Sequence, residues 1–176
     1  MTDDAPLWTP SAERVASSEW MKFAAFAGER ANQDLTDPGD LHRWSIEERG
    51  DFWSAVWDYC GVIGEKGGRS LENADAMPGA AFFPDASLNF AENLLKLEGD
   101  GPAMLFRAED AHSAEISWNE LRALVSRLQQ AYKAHGVAKG DRVAAMMPNM
   151  PETIAHMLAV SSLGAIWCSC LPDFGI

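Results

Sequence analysis

Basic residues are scarce in this sequence. Its 176 residues contain 14 Lys and Arg against 26 Asp and Glu, so the formal net charge is −12 and the isoelectric point is about 4.6. Proteins attract nucleic acids and anionic membrane surfaces through clustered Lys and Arg side chains, and no such cluster is present. The composition therefore predicts neither a nucleic-acid partner nor a membrane-surface role.

Cysteine and histidine are also few. The three cysteines, Cys60, Cys168 and Cys170, form an odd set without the spacing of a disulfide framework, and the four histidines are scattered. A metal site needs several such ligands close together, so we predict none. We interpret the thiols as reduced, which is typical of a cytoplasmic protein, and expect Cys168 and Cys170 to be buried and unreactive.

Segments that direct a chain to a membrane are lacking as well. The first residues are acidic and do not resemble a signal peptide. The run from Thr153 to Leu171 is nearly free of charge and long enough to be compared with a spanning helix. Because His156 and Gly164 interrupt it and Pro172 ends it, we predict a buried helix followed by a buried strand, and no membrane span.

Aromatic residues, in contrast, are plentiful in the first third of the chain. We predict a helix from Ser11 to about Asn32, a loop to Asp40, and a second helix that opens with a capping box of Ser45 and Glu48. Apolar side chains occupy two stripes of that second helix, which must then pack on more than one element. The stripes are Phe52, Val56 and Tyr59, and Trp53, Trp57 and Cys60. We interpret residues 1–100 as a helical, aromatic-rich N-terminal arm, and expect its aromatic residues to be structural, with a protein-interaction face as the alternative.

Glycine is concentrated between this arm and the rest of the chain. The segment Gly64–Ser70 has some of the residues of a phosphate-binding loop, but neither its spacing nor its flanks fit one, so we predict a solvated turn. A short amphipathic helix follows around Leu88–Leu95.

The pattern changes to alternating strands and helices from Ala103 onward. Strands over 104–106 and 115–118 predict an antiparallel hairpin, with a turn at 109–112. A capping box of Ser117 and Glu120 then opens a helix that ends at Gly136. A buried strand over 141–148, a helix capped by Asn149 and a strand over 165–170 complete a β-α-β-α-β order, which implies parallel pairing. The predicted fold class is therefore α/β, with residues 101–176 as the incomplete start of a domain.

Ligands in open α/β sheets bind at the carboxyl ends of the strands, here Pro148-Asn149 and Leu171 to Phe174. Several segments in this half resemble, in order, the opening of the large domain of adenylate-forming enzymes, the superfamily of the acyl-CoA synthetases. They are Ile116-Ser-Trp-Asn-Glu-Leu, Gly136-Val-Ala-Lys-Gly-Asp-Arg-Val-Ala, Met147-Pro-Asn-Met-Pro-Glu and Leu163-Gly-Ala-Ile-Trp.

Further segments are similar to the acetoacetate–CoA ligases within that superfamily. They are Leu41-His-Arg-Trp-Ser, Asp58-Tyr-Cys-Gly-Val-Ile-Gly, Phe83-Pro-Asp-Ala-Ser-Leu-Asn-Phe-Ala-Glu-Asn-Leu-Leu and Cys168-Ser-Cys-Leu-Pro-Asp-Phe-Gly. The resemblance extends from about Leu7 to Gly175 and implies an N-terminal portion of a ligase. In that family a carboxylate attacks the α-phosphate of ATP with Mg²⁺ present, and the thiol of CoA then displaces AMP.

The resemblance also implies what this portion lacks. The family's phosphate loop, its adenine and ribose motifs and its catalytic Lys have no match here. We therefore expect no catalytic residue and no tight binding of ATP, Mg²⁺ or CoA in these residues alone. The partner they imply is the remainder of the same polypeptide, with small-molecule substrates in the full enzyme.

One turn is implied to lie near CoA. It corresponds to Leu171, Pro172 and Asp173, where related acetyl-CoA synthetases have Phe-Gly-Gly. This sequence departs from the family's usual Ser-Ser-Cys-Ser-Pro-Asp-Phe-Gly, since Cys168 and Leu171 replace two serines. We expect Asp173 to cap or orient the segment that follows it.

Two other interpretations stay open at this point. One is an acetyl-CoA or other short-chain acyl-CoA synthetase, because the residues that would line an acid pocket are not recognisable here. The other is a non-catalytic α/β interaction module. His156, on an apolar helix, is expected to be a hydrogen-bonded structural histidine.

Overall fold

The computed structural model describes residues 6–109 and 112–173, and the chain forms two compact units, residues 1–87 and 88–176. Each unit has its own hydrophobic core. The short helix α5 (Phe90–Leu94) contributes Ala91 to the core of the second unit. The domain boundary between residues 100 and 101 stays a prediction.

The first unit begins with two helices where the sequence predicts one. Helix α1 spans Ala12–Ala16 and helix α2 spans Glu19–Ala31. The break lies at Ser18, whose hydroxyl donates to the Val15 carbonyl at 2.7 Å and accepts from the Met21 amide at 3.2 Å. A serine that bonds the backbone locally on both sides favours a helix end over a helix interior, which explains the error.

The next two helices also differ from the prediction. Helix α3 (Pro38–Glu47) starts within the predicted loop, because the Asp37 carboxylate accepts the Gly39 amide at 2.8 Å and Pro38 suits the first helical position. The predicted capping box of Ser45 and Glu48 is wrong. Ser45 lies inside α3 and donates to the His42 carbonyl, and helix α4 (Arg49–Tyr59) follows with no side-chain cap.

Helix α4 packs against both α2 and α3, which confirms the expectation drawn from its two apolar stripes. Phe52 of α4 lies 5.9 Å, centroid to centroid, from both Phe23 of α2 and Trp44 of α3, in edge-to-face geometry. On the neighbouring stripe Trp53 and Trp57 meet aromatic rings from the segment that follows. The buried residues of this core are Ala24, Ala27, Leu35, Leu41, Trp44 and Ala55.

Short strands follow in the glycine-rich part. They are β1 (Gly64–Glu65), β2 (Leu71–Glu72), β3 (Ala81–Phe82) and β4 (Ser87–Leu88), and β2 pairs antiparallel with β3. The turn at 64–70 has no free cation for a phosphate, because Arg69 bonds Asp85 at 2.8 Å and Glu72 at 2.9 Å, and Lys66 bonds Asp58 at 2.9 Å. Gly67 has φ +77°, and a Cβ there would lie 2.5 Å from that of Asp85. Most of residues 64–70 are exposed, as expected for the predicted solvated turn.

Asp58, near the end of α4, joins three segments of the first unit. Its carboxylate pairs with Arg30 of α2 at 2.8 Å and with Lys66 at 2.9 Å, and Lys66 also donates to the Ser54 carbonyl at 3.1 Å. The hydrogen bond from Lys66, helped by the charges of Lys66 and Arg30, holds the pKa of Asp58 below its ordinary value of 3.8.

We predict that Asp58→Asn destabilises the first unit by about 1 kcal/mol at neutral pH, since an amide cannot replace a carboxylate between two cations. A lowered carboxyl pKa contributes stability above the unfolded-state pKa, and this contribution is lost as the pH falls through the folded-state pKa. The difference between the two proteins, followed by urea unfolding, should therefore shrink in acid below pH 3.8. An equal difference in unfolding free energy at neutral pH and below pH 3.8 would contradict the stabilising role of the Asp58 carboxylate.

The second unit contains the hairpin and helices that the sequence predicts. Strands β5 (Pro102–Arg107) and β6 (Ser113–Ser117) pair antiparallel, with Phe106 opposite Ala114. Part of the predicted turn, residues 110–111, lies outside the described residues. Helix α6 (Trp118–Ala134) opens with the complete capping box of Ser117 and Glu120, as predicted.

Strands β7 (Arg142–Met146) and β8 (Ile166–Cys170) pair parallel, with α7 (Pro151–Ser162) connecting them. This confirms one of the predicted parallel pairings. The other is wrong for the described residues, where β5–β6 and β7–β8 form two separate two-stranded sheets. The predicted burial of β7 and β8 is also wrong, because exposed and half-buried residues alternate along β7 and most of β8 is exposed. Only one face of a two-stranded sheet packs on the helices.

The core of the second unit lies between α5, α6 and α7. Its buried residues are Ala91, Leu121, Val125, Ala155, Leu158 and Ala159. Asn89 joins two of these helices, since its side chain accepts the Glu92 amide in the first turn of α5 and donates to the Ser161 carbonyl at the end of α7. The predicted cap at Asn149 is wrong: Met150 holds the cap position of α7 without a side-chain hydrogen bond, and Pro151 begins the helix.

The apolar run from Thr153 to Leu171 forms α7 and β8, which confirms the predicted helix and strand. In the part of the chain that the structure describes, no helix combines the length and the apolar character that a membrane crossing requires.

We predict that Ser117→Ala weakens the start of α6 by about 1 kcal/mol, because Ser117 accepts the Glu120 amide and donates to the Glu120 carboxylate. Amide hydrogen exchange in the first turn of α6 should accelerate about fivefold. Ser126→Ala is the matched control, since Ser126 is exposed in the middle of the same helix. Equal exchange rates in the two variants would show that the cap contributes nothing.

Candidate functional site

The parallel pair of β7 and β8 places the ends of both strands at one edge. Their register aligns Met146 with Cys170, and the Met147 amide extends the ladder by donating to the Cys170 carbonyl at 3.1 Å. The segments that leave this edge are 147–149 after β7 and 171–173 after β8. These are the two places where the sequence predicts a ligand-facing turn, and the structure brings them to the same edge.

The turn after β7 is fixed by Thr153 in the first turn of α7. The Thr153 hydroxyl donates to the Pro148 carbonyl at 2.7 Å, and the Thr153 amide donates to the Met150 carbonyl at 3.0 Å. Two prolines, Pro148 and Pro151, further restrict the backbone on either side of Asn149. The exit from β7 is therefore a rigid feature of the edge.

The turn after β8 is open to solvent. Leu171, Pro172 and Asp173 are all exposed, Leu171 to 49%. Pro172 has no amide to offer a ligand, and the Asp173 carboxylate repels anions, so the backbone amides of Leu171 and Asp173 are the only donors that this turn can offer to an anionic ligand. The Phe174 and Gly175 positions of the predicted motif lie outside the described residues.

A shallow cavity of about 230 Å³ borders the exit from β7. Residues of β5 form one wall, and the start of α7 with the residues before it forms the other. Asn149 is its polar member, and the apolar lining residues are Met104, Leu105, Phe106, Met150, Pro151 and Ile154. Its volume admits a few apolar carbons and excludes a whole nucleotide.

The two cysteines of β8 differ from the prediction. Cys168 and Cys170 are exposed, not buried, because the face of β8 on which they lie packs against no helix. The Cys170 thiol approaches the Ala145 carbonyl of β7 at 3.9 Å.

One polar contact joins α6, α7 and β8 beneath the edge. The Tyr132 hydroxyl and His156 Nδ1 are 2.7 Å apart, and the His156 ring stacks on Trp167 with 6.5 Å between centroids and 15° between planes. Burial raises the pKa of Tyr132. The predicted hydrogen bonding of His156 is confirmed, and its structural role stays a prediction. Its partner Tyr132, the last residue of the apolar stripe of α6, was not predicted, because a stripe position alone does not reveal a polar neighbour.

The described residues do not fit a magnesium–nucleotide complex. Across residues 6–109 and 112–173 no group of three or more His, Cys, Asp or Glu side chains could hold a metal ion. The glycine-rich turn at 64–70 has its arginine paired with carboxylates. We therefore derive no step of nucleotide chemistry from these residues.

Comparison with known proteins places this geometry in a family. Residues 91–176 match the family model described as AMP-binding enzyme. The solved acetoacetyl-CoA synthetase from Streptomyces lividans is 39% identical, has a TM-score of 0.87, and is matched over 97% of this chain and 27% of its own.

Two further relatives match along nearly the whole chain. The acetoacetyl-coenzyme A synthetase of Rhizobium meliloti is 57% identical over 99% of this chain and 27% of the relative. The malonamoyl-CoA synthetase of Penicillium aethiopicum is 36% identical over 97% of this chain and 24% of the relative. The chain thus spans about a quarter of the length of the proteins it matches.

Residues 91–176 are therefore similar to the AMP-binding enzymes. The chain as a whole is homologous to acetoacetyl-CoA synthetases, which confirms the resemblance drawn from its motifs. The matched structure also confirms the α/β fold class.

We predict that Asp173→Asn in the full-length protein changes the apparent affinity for CoA by about threefold or more, because it removes an exposed negative charge from the turn after β8. The measurement is the KM for CoA in steady-state turnover. Asp141→Asn is the control for an acidic residue at the opposite end of the sheet, before β7. Unchanged CoA affinity and turnover in Asp173→Asn would show that this carboxylate has no role in the turn.

Proposed function

We propose that these residues are part of an AMP-forming acid–thiol ligase that joins acetoacetate to coenzyme A. In this proposal ATP and acetoacetate give an acyl-adenylate and pyrophosphate, and the CoA thiol then displaces AMP. The observation that supports it is the 57% identity to an acetoacetyl-CoA synthetase over 99% of the chain.

The described residues contribute scaffold to this reaction. We propose that the turn of Leu171, Pro172 and Asp173 borders the path of the CoA chain, with ATP and Mg²⁺ bound by other parts of the full-length protein. A turn at the carboxyl edge of a parallel pair suits that task, because its backbone is fixed by the strands behind it. Leu171 offers apolar surface, and Pro172 holds the backbone rigid.

The malonamoyl-CoA synthetase relative supports a second candidate acid. Acetoacetate and malonamate are both short carboxylates with a carbonyl group on the β-carbon, and they differ only in a terminal methyl or amino group. These groups are nearly equal in size. A site formed for one accepts the other unless a polar group near the terminus distinguishes them. The proposed substrate class is therefore a short β-carbonyl carboxylate, with acetoacetate first.

We predict that the full-length protein catalyses acid-dependent exchange of pyrophosphate into ATP with acetoacetate. Butyrate is the matched control, since it has the same carbon chain without the β-carbonyl. A site that hydrogen-bonds the carbonyl rejects such an analogue strongly, so exchange with butyrate should be lower by about 100-fold or more. The measurement is the exchange rate at equal acid concentration, followed by detection of the acyl-CoA product.

Three results would lead to different conclusions. If pyrophosphate exchange is faster with malonamate than with acetoacetate, malonamate is the substrate. Equal exchange with butyrate or acetate indicates a general short-chain acyl-CoA synthetase. Absence of exchange with every acid contradicts the ligase proposal and favours a non-catalytic interaction module.

A further inference from the structure

We propose that the Tyr132–His156–Trp167 contact is a positioning device, which holds the carboxyl end of β8 and so sets the place of the turn that borders CoA. The inference deepens the proposed function and rests on it for the identity of the ligand. The three residues act through the backbone of β8 and are positioning residues. None of them lies in the turn itself.

The contact joins three consecutive elements of the second unit. Tyr132 lies near the end of α6, His156 lies in the middle of α7, and Trp167 is the second residue of β8. The hydrogen bond of 2.7 Å fixes the imidazole edge towards α6, and the Tyr132 and His156 rings also meet edge to face at 5.8 Å. The imidazole face is then left parallel to the indole of Trp167, 15° between planes.

Few other contacts hold β8. Within the described residues it pairs with β7 alone, and all of its residues except Trp167 are exposed. Ala165, just before the strand, is buried, and its amide donates to the Val160 carbonyl of α7 at 3.3 Å. Within β8 itself, Trp167 is the position whose side chain packs towards the helices. Trp167 lies against His156, whose ring is oriented by its hydrogen bond to Tyr132. This defines the orientation of the indole more narrowly than apolar packing does, because a hydrogen bond is directional and dispersion is not.

Because a strand is extended, a change of its orientation at Trp167 also moves the turn that follows it. Residues two and four positions apart lie on one face, so Leu171 shares the face of Trp167 at a separation of about 13 Å along the strand. A tilt of β8 about its attachment moves the turn by a comparable angle. Misplacement of a ligand-bordering group by about 1 Å can cost up to about 100-fold in rate, so a small tilt has a measurable effect.

The experiment compares three substitutions in the full-length protein. His156→Asn removes the ring stack and places a shorter polar group beside Tyr132. Trp167→Leu removes the indole, and Trp167→Phe keeps an aromatic face for the imidazole. His135→Asn is the matched control, since His135 is exposed at the end of α6. Two readouts are taken: amide hydrogen exchange of residues 168–173, and the KM for CoA together with acid-dependent pyrophosphate exchange.

The expected result is selective for the second half-reaction. In His156→Asn and Trp167→Leu, exchange of the 168–173 amides accelerates about fivefold, and the KM for CoA rises about fivefold to tenfold. Pyrophosphate exchange stays within about twofold of the wild-type rate, because it needs no CoA. Trp167→Phe restores most of the CoA affinity, and His135→Asn matches the wild type.

The readouts separate failure of this inference from failure of the proposed function. If hydrogen exchange of residues 168–173 is unchanged in folded His156→Asn, the contact does not hold β8, whatever the protein catalyses. The selective role is overturned if hydrogen exchange accelerates while the KM for CoA is unchanged. It is also overturned if the rate of pyrophosphate exchange falls by the same factor as the affinity for CoA. If the wild-type protein shows no acid-dependent pyrophosphate exchange and no CoA turnover, both the proposed function and the CoA role assigned here are wrong. Hydrogen exchange alone then decides whether the contact holds β8.

Discussion

The register between β7 and β8 is the constraint on which the second unit depends. Once Met146 lies opposite Cys170, both turns must leave from the same edge, and α7 must cross the sheet between them. The ladder continues to the Met147 amide, so the pairing ends where the turns begin. A shift by one residue would move Trp167 to the face that packs on no helix and would separate it from His156.

Local signals predicted those parts of the fold that depend on neighbours in sequence. The capping box at Ser117, the hairpin of β5 with β6 and the helix–strand division at Gly164 each need only a few adjacent residues, and all three are present. Helix ends in the first unit were predicted less well, because Ser18 and Ser45 have the same side chain and opposite outcomes. Ser18 accepts the Met21 amide at the start of α2, whereas Ser45 only donates to a carbonyl within α3, and the difference is set by which backbone groups are unpaired nearby.

Burial was harder to predict than secondary structure. An apolar strand such as Ala165–Cys170 fits a sheet covered on both faces, yet β8 is covered on one face of a two-stranded sheet. Pattern gives the tendency of a residue to be buried and leaves open which element covers it. The same reasoning applies to the candidate site. Its position at the strand ends followed from topology, whereas the contact between Tyr132 and His156 spans 24 positions and has no signal in either local pattern.

The distribution of charge explains why these residues suit a scaffold better than a phosphate site. CoA and ATP are polyanions, and the chain has a net charge of −12. At least seven of its 14 Lys and Arg side chains form ion pairs with its own carboxylates, among them Arg30, Lys66 and Arg69. A paired cation attracts a phosphate only after its carboxylate is displaced, which weakens binding by the energy of that pair. In the proposed function, the contribution left to these residues is the placement of backbone by the parallel pair of β7 and β8 and by the proline-bounded turn after β7.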